Sequence, residues 1–258
     1  MVLDGNVEGR LLRPNALSRR PSGTAHGFSS HLTFQEVLYL TYDIMCRVPA
    51  RQIKREYAFS SKMIADWGMF CRETMLVYME WSSEKIGGPK KTVEIDDSMF
   101  CRRKYYRGHP VKGQWVFGGV ERESGRTFLV PVPNRTADTL MTIIDAWIKP
   151  GTTVISDCWA AYRDLDARGY MHRTVNHTIS FVNEEGDHTN TIESKWGHVK
   201  AYLKSYKWPD DYVYNFAHYM FVAKCKAEGV DKFTKFLHLV VSTDWSSCDP
   251  APPPGLDT

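Results

Sequence analysis

Three acidic residues far apart along the chain each sit in a short motif that gives them a reason to be acidic. They are Asp96 in VEIDDSMF, Asp157 in TTVISDCWAAY and Glu193 in HTNTIESKWGHVK. The first two close apolar, β-branched runs that read as strands; the third falls in the first turn of a patterned helix. Carboxylates delivered from two strand ends and a helix suit a pair of hard divalent ions. Mg2+ and Mn2+ take oxygen ligands, and two ions about 3.5–4 Å apart can hold both the attacking and the leaving oxygen of a phosphoryl transfer. The pattern predicts a metal-dependent enzyme acting on DNA phosphodiesters, with Asp96, Asp157 and Glu193 as catalytic residues and as ligands of two Mg2+ (or Mn2+) ions.

Each motif also has a plainer reading. In VEIDDSMF, strand alternation sets Glu94 and Asp96 on one face and Asp97 on the other. Asp96 is then the better ligand and Glu94 a second, site-lining candidate, unless all three are surface charges at a strand end. Asp157 precedes a helical stretch and has the residue type of an N-cap. Glu193 is favoured in a first helical turn by the dipole alone. His172, His177, His188 and His198 lack zinc spacing and paired cysteines; His177 and His188 are expected to line the site or to contact phosphate.

The net charge of +3 is small, so its distribution matters more than its size. Arg102, Arg103, Lys104, Arg107 and Lys112 follow the first acid, and Lys195, Lys200 and Lys204 follow the last. Basic groups beside an acidic metal site suit double-stranded DNA as partner, and these residues, with Lys62, are the predicted DNA contacts. Six dispersed cysteines without a CxxC pair disfavour a zinc ribbon and disulfides. No run of about 18 apolar residues occurs, so no membrane association is expected. The N-terminus lacks an apolar signal region. The expected location is the nucleus in a eukaryote and the cytoplasm otherwise.

Along the chain, residues 1–30 read as a disordered leader and 31–81 as a helical module. Thr33 and Glu36 fit a capping box, Pro49 suits the start of a second helix, and Ser60 caps a third. A tight turn before that third helix gives a helix-turn-helix-like layout, which would expose Ser61, Lys62 and Asp66 to a major groove; a plain bundle packed on the next domain is the alternative. Residues 82–91 read as a linker. Strands are expected at 92–97, 114–120, 127–132, 152–156 and 172–176, and helices at 136–148, 160–168, 211–227 and 230–241, with one more, carrying Glu193, between the last strand and residue 211. That order predicts an α/β, RNase H-like mixed sheet flanked by helices over 92–245, with a disordered tail at 246–258. The aromatics of the last two helices suit either a cover for the core or a homodimer interface.

VEIDDSMF, GGVERESGRTFLVPVPNRTADTL, GTTVISDCWAAYRDL, YMHRTVNHTISFV and HTNTIESKWGHVK, in this order over about residues 90–206, resemble the core of Merlin-type DDE transposases. These are relatives of insertion-sequence transposases with an RNase H-like core. The resemblance implies a cut-and-paste transposase whose triad is Asp96, Asp157 and Glu193, with His188 and Asn190 in the motif around the last acid. Asp97 stands where family members often carry Glu. A domesticated, non-catalytic DNA-binding protein and an RNase H-like nuclease are the alternative functions.

Overall fold

Residues 32–82, 84–100, 113–175, 188–203 and 212–242 are described by the structure, a computed structural model. The leader, the tail, Arg102, Arg103, Lys104, Arg107, Lys112, His177 and Lys204 lie outside these residues.

Helix α1 (Phe34–Met45) starts with the expected capping box: the Thr33 backbone N–H donates to Glu36 at 2.7 Å, and Glu36 N–H donates to the Thr33 hydroxyl. Pro49 stands as the N-cap of α2 (Ala50–Tyr57), one position before the predicted first turn. Ala58 then turns left-handed at φ 56°, and the Ser60 hydroxyl accepts Met63 N–H at the start of α3 (Ser61–Ser82). Leu40, Ile53, Phe59 and Ile64 close a small core among these three helices. Further along α3, Cys71, Met75, Leu76 and Met79 enter the main core instead. The long helix therefore ties the helical layer to the rest of the chain.

The main sheet is built from β2 (Thr92–Phe100), β3 (Gln114–Glu121), β4 (Thr127–Val132), β6 (Thr153–Asp157) and β7 (Met171–Val175), and β1 and β5 lie outside it. The order is β4-β3-β2-β6-β7, with β4, β3 and β2 antiparallel and β2, β6 and β7 parallel. A three-stranded meander extended at its first strand by two parallel strands is the RNase H-like arrangement. Hairpins make the antiparallel half. The parallel half needs crossovers, one of which contains α4 (Ala137–Trp147), capped by Thr136.

The stretch expected as a linker carries β1 (Ile86–Gly87), which pairs in parallel with β5 (Ile148–Lys149), and Ile86 is buried. Two-residue strands are too short to show an alternation, so no pattern marks them. The helix expected at 160–168 is two 3-10 turns, Ala160–Tyr162 and Asp166–Arg168. Tyr162 in the first turn and Leu165 just before the second are buried three residues apart, and Gly169 ends the segment at φ 86°.

Helices α5 (Asn190–Leu203), α6 (Tyr212–Glu228) and α7 (Lys232–Ser242) follow. Phe100 meets Trp196, Tyr212 and Phe216 edge-on, and Phe216, Phe221 and Phe236 are fully buried. Most of the C-terminal aromatics thus cover the core.

Candidate functional site

The first two acids stand on neighbouring parallel strands. Pairing of β2 with β6 runs Thr92 to Thr153, Val93 to Val154 and Glu94 to Ile155. The recorded pairing ends there; continued by two residues, the same register would put Asp157 opposite Asp96. The charge of Asp157 acts on Asp96. Burial pushes the Asp96 carboxyl up to about 7; the N–H groups of Asp97 and Trp196 pull it down, and the charges of Asp97 and Asp157 push it up again. The buried Tyr162 phenol is also raised, by its burial and then by Asp97, Asp157 and Asp96 together.

Helix α5 lies along the same face of β2 in a regular register. Glu94 meets the first turn through Thr191 N and Ile192 N, Asp96 meets Trp196, and Ser98 meets Lys200. Two strand residues advance about 6.6–6.8 Å and four helical residues about 6 Å. Alternate residues of β2 therefore meet successive turns of α5. Gly118, which pairs with Asp96 on β3, leaves the room: a Cβ there would lie 2.8 Å from the Trp196 ring. Glu193 is exposed in the first turn, one turn before Trp196, and the Thr189 hydroxyl donates to it at 3.3 Å.

Glu94 does not line a solvent-accessible site. It is fully buried, ion-paired with Arg122 at 2.6 Å, and its other oxygen accepts two amides of α5. The helix laid over this face excludes water from it, which strand alternation alone cannot reveal. His188 belongs to the same cluster: Arg122 donates to its carbonyl at 2.6 Å and lies 3.2 Å from its Nδ1.

Asp97 points to the opposite face and pairs with Arg135 at 2.9 Å. Burial raises this carboxyl and Arg135 lowers it. The guanidinium lies over the rings of Trp115 and Trp159, at 4.0 and 4.4 Å. Asp157 accepts the Trp159 N–H at 3.1 Å, a local turn rather than the predicted helix cap.

Among the other predicted residues, Asn190 opens α5 and is exposed, and Lys200 is exposed with its Nζ 2.6 Å from Ser98. Lys195 is partly buried and its pKa is lowered, first by desolvation and then by Lys226 of α6. Lys62 is exposed and pairs with Asp66 along α3. Arg122, Arg135 and Trp196 went unremarked as site residues in the sequence: the first sits in an ordinary hairpin, and the last reads as one more apolar position.

The donor chemistry fits a hard divalent cation. Asp96 and Asp157 offer adjacent carboxylates, and the upward shift of Asp96 marks a desolvated acid with too little positive charge beside it. Among the described residues no group of three or more His, Cys, Asp or Glu side chains stands close enough to hold an ion. Among the described residues the charge of Asp157 acts on Asp96, while Glu193 stands in the first turn of α5, exposed.

Residues 88–214 match the model of the ISXO2-like transposase domain. A transposase-like protein of Haemophilus influenzae is 32% identical over 81 residues, which make up 31% of this chain. The chain spans 65% of that relative's length. Both matches support a transposase-type domain in this chain. Among solved structures, the catalytic core of HTLV-2 integrase in complex with magnesium is 15% identical, with a TM-score of 0.34 over 52% of this chain and 86% of the other. The BIV integrase core is 15% identical, with a TM-score of 0.39 over 57% and 93%. No helix among the described residues is long and apolar enough to cross a membrane.

Proposed function

We propose that the chain is a DDE-type DNA transposase that hydrolyses a phosphodiester at a transposon end and joins the freed 3′-OH to target DNA. The observation that supports this reading is the parallel pairing of β2 with β6, whose continuation would bring Asp96 and Asp157 together, within the span that matches a transposase domain. The Merlin-type assignment rests on the sequence motifs and is part of the proposal.

In this reading Asp96, Asp157 and Glu193 hold the divalent ions. Bound Mg2+ or Mn2+ would lower the nucleophile's pKa and neutralise charge on the phosphate. The chain's own part is orientation. Asp96 is held by the Trp196 indole and the Asp97 amide, and Asp157 by the Trp159 amide, which restrains both carboxylates. Lys200 stands along the same helix face, two turns beyond Glu193, placed to meet the strand's phosphates. Coordinated cutting of two ends calls for a second copy, and a two-fold dimer is the simplest arrangement.

The test is Mn2+-dependent cleavage and joining of a duplex that carries the element's own ends. Alanine at Asp96, Asp157 or Glu193 should abolish both steps and leave DNA binding intact. Cleavage that survives all three substitutions overturns the assignment. Cleavage without joining would favour a nuclease, and end binding without either step a DNA-binding protein derived from a transposase.

A further inference from the structure

We infer that Glu94 is a positioning residue: together with Arg122 it clamps the first turn of α5 to β2, and so sets where Glu193 stands relative to Asp96 and Asp157. This rests on the proposed role of those three acids.

The carboxylate of Glu94 is fully committed. Its Oε1 accepts Arg122 Nε at 2.6 Å with His188 Nδ1 at 3.5 Å, and its Oε2 accepts the N–H of Thr191 and of Ile192, each at 2.9 Å. A carboxylate offers about four lone-pair sites. With these contacts made and no exposure to solvent, Glu94 has no oxygen left for a cation, although it lies on the same strand face as Asp96.

The two amides it accepts are the significant ones. Helix α5 begins at Asn190, so Thr191 and Ile192 occupy its second and third positions. Those N–H groups have no partner within a helix and are normally capped by the side chain just before it. Here that residue is Thr189, whose hydroxyl goes to Glu193 instead. The cap comes from β2, 97 residues earlier in the chain. A negative charge at this end of the helix is favoured by the dipole. Arg122 secures the approach, since its Nη2 donates to the His188 carbonyl just before the helix.

Glu193 is the residue after Ile192, so its height and rotation over the sheet follow from this clamp. Downstream, Trp196 on Asp96 and Lys200 on Ser98 hold the later turns. Without Glu94, the turn that carries the third acid is the one left to fray.

The experiment compares the full chain with its Glu94→Gln, Arg122→Gln and Asp96→Ala variants, by amide hydrogen exchange at residues 190–194, by Mn2+ titration and by end-duplex cleavage. In Glu94→Gln the first-turn amides should exchange at least about 10-fold faster, Mn2+ affinity should fall about 10-fold, and kcat should fall about 10–100-fold, the range seen when groups that orient ligands are lost. KM for the duplex should stay within about twofold, because the clamp does not touch DNA. Asp96→Ala should lose Mn2+ but keep native exchange at 190–194. Native exchange in Glu94→Gln, with or without loss of Mn2+ binding, overturns the proposal; with that loss, Glu94 would be a ligand. Should Glu94→Gln fail to fold, Arg122→Gln must give the same pattern to a smaller degree, and native values there overturn it. Cleavage retained in Asp96→Ala would refute the catalytic reading, whereas the exchange result speaks to the clamp alone.

Discussion

The indole N–H of Trp196 donates to the Asp96 carboxylate at 2.9 Å, across 100 residues of sequence. This bond joins the middle of α5 to the first acid, and it lies between the Glu94 and Lys200 contacts in the same register. A residue that looks like plain helix core thus also holds a carboxylate that burial makes costly to ionise.

Trp196→Phe keeps the ring and deletes the donor. The bond lowers the Asp96 pKa, so its loss should move that pKa further above about 7. The pH midpoint of Mn2+-dependent cleavage should then shift upward, by up to about one unit. Stability at pH 8, where the carboxylate is charged and short of a partner, should fall by about 1–3 kcal/mol. At pH 5 the loss should be smaller, because the acid is neutral there. Equal losses at both pH values would mean that the ring alone matters.

Asp96 also predicts a pH dependence of folding. Its pKa is near 7 in the folded chain and 3.8 ordinarily. Between those values the folded state holds a proton that the unfolded state has released, so stability falls as pH rises through the window and levels off above 7. Asp96→Asn should therefore stabilise the metal-free chain at pH 8, by an amount on the order of a few kcal/mol, and leave it unchanged at pH 4. Adding Mn2+ should raise the melting temperature of the native chain and not of the variant. Denaturant melts at both pH values, with and without metal, decide it.

Much of the fold was legible in the sequence because the central strands are apolar, β-branched runs and α1, α3 and α4 start with capping residues. Asp96 and Asp157 stood out at the ends of apolar runs, and Glu193 by its place in a first helical turn. Glu94 did not, since alternation places it with Asp96 but cannot tell that α5 covers one of them more deeply. Its partners, Arg122 and the α5 amides, come from distant segments, and no local pattern links them to β2. The 3-10 turns after Asp157 were missed for another reason: AAYRDLDAR has good helix propensity, and the packing of Tyr162 and Leu165 overrides it.

Gly118 should tolerate no side chain. A Cβ would stand 2.8 Å from Trp196 Cη2, 3.0 Å from Leu129 Cδ2 and 3.1 Å from the Phe128 carbonyl. Gly118→Ala must displace Trp196 from Asp96, so it should cost about 1–3 kcal/mol and reduce cleavage as well. Gly197→Ala is the control, since nothing lies within 4 Å of its Cβ; relief of a helical glycine should stabilise that variant by about 0.5–1 kcal/mol. Similar melts for the two variants would refute the close contact.

The last prediction concerns the helical layer and DNA. Removing residues 1–85 would strip Cys71, Met75, Leu76 and Met79 from the main core, and Tyr78 from its edge contact with Phe221. That truncation should give no cooperative melt, so it cannot report on DNA binding. Met75→Ala alone should cost about 2–5 kcal/mol, as for other buried methionines. Surface substitutions give the cleaner test. Arg51, Lys54, Arg55 and Lys62 are exposed on α2 and at the start of α3, where a helix-turn-helix-like layer would meet a duplex. Alanine at these four should leave the melt unchanged within about 0.5 kcal/mol. If each contacts a phosphate, the slope of log K against log salt should become shallower by about 0.9 per residue removed. End-duplex titrations at several salt concentrations measure it, and an unchanged slope in the quadruple variant would show that this layer packs against the sheet domain without touching DNA.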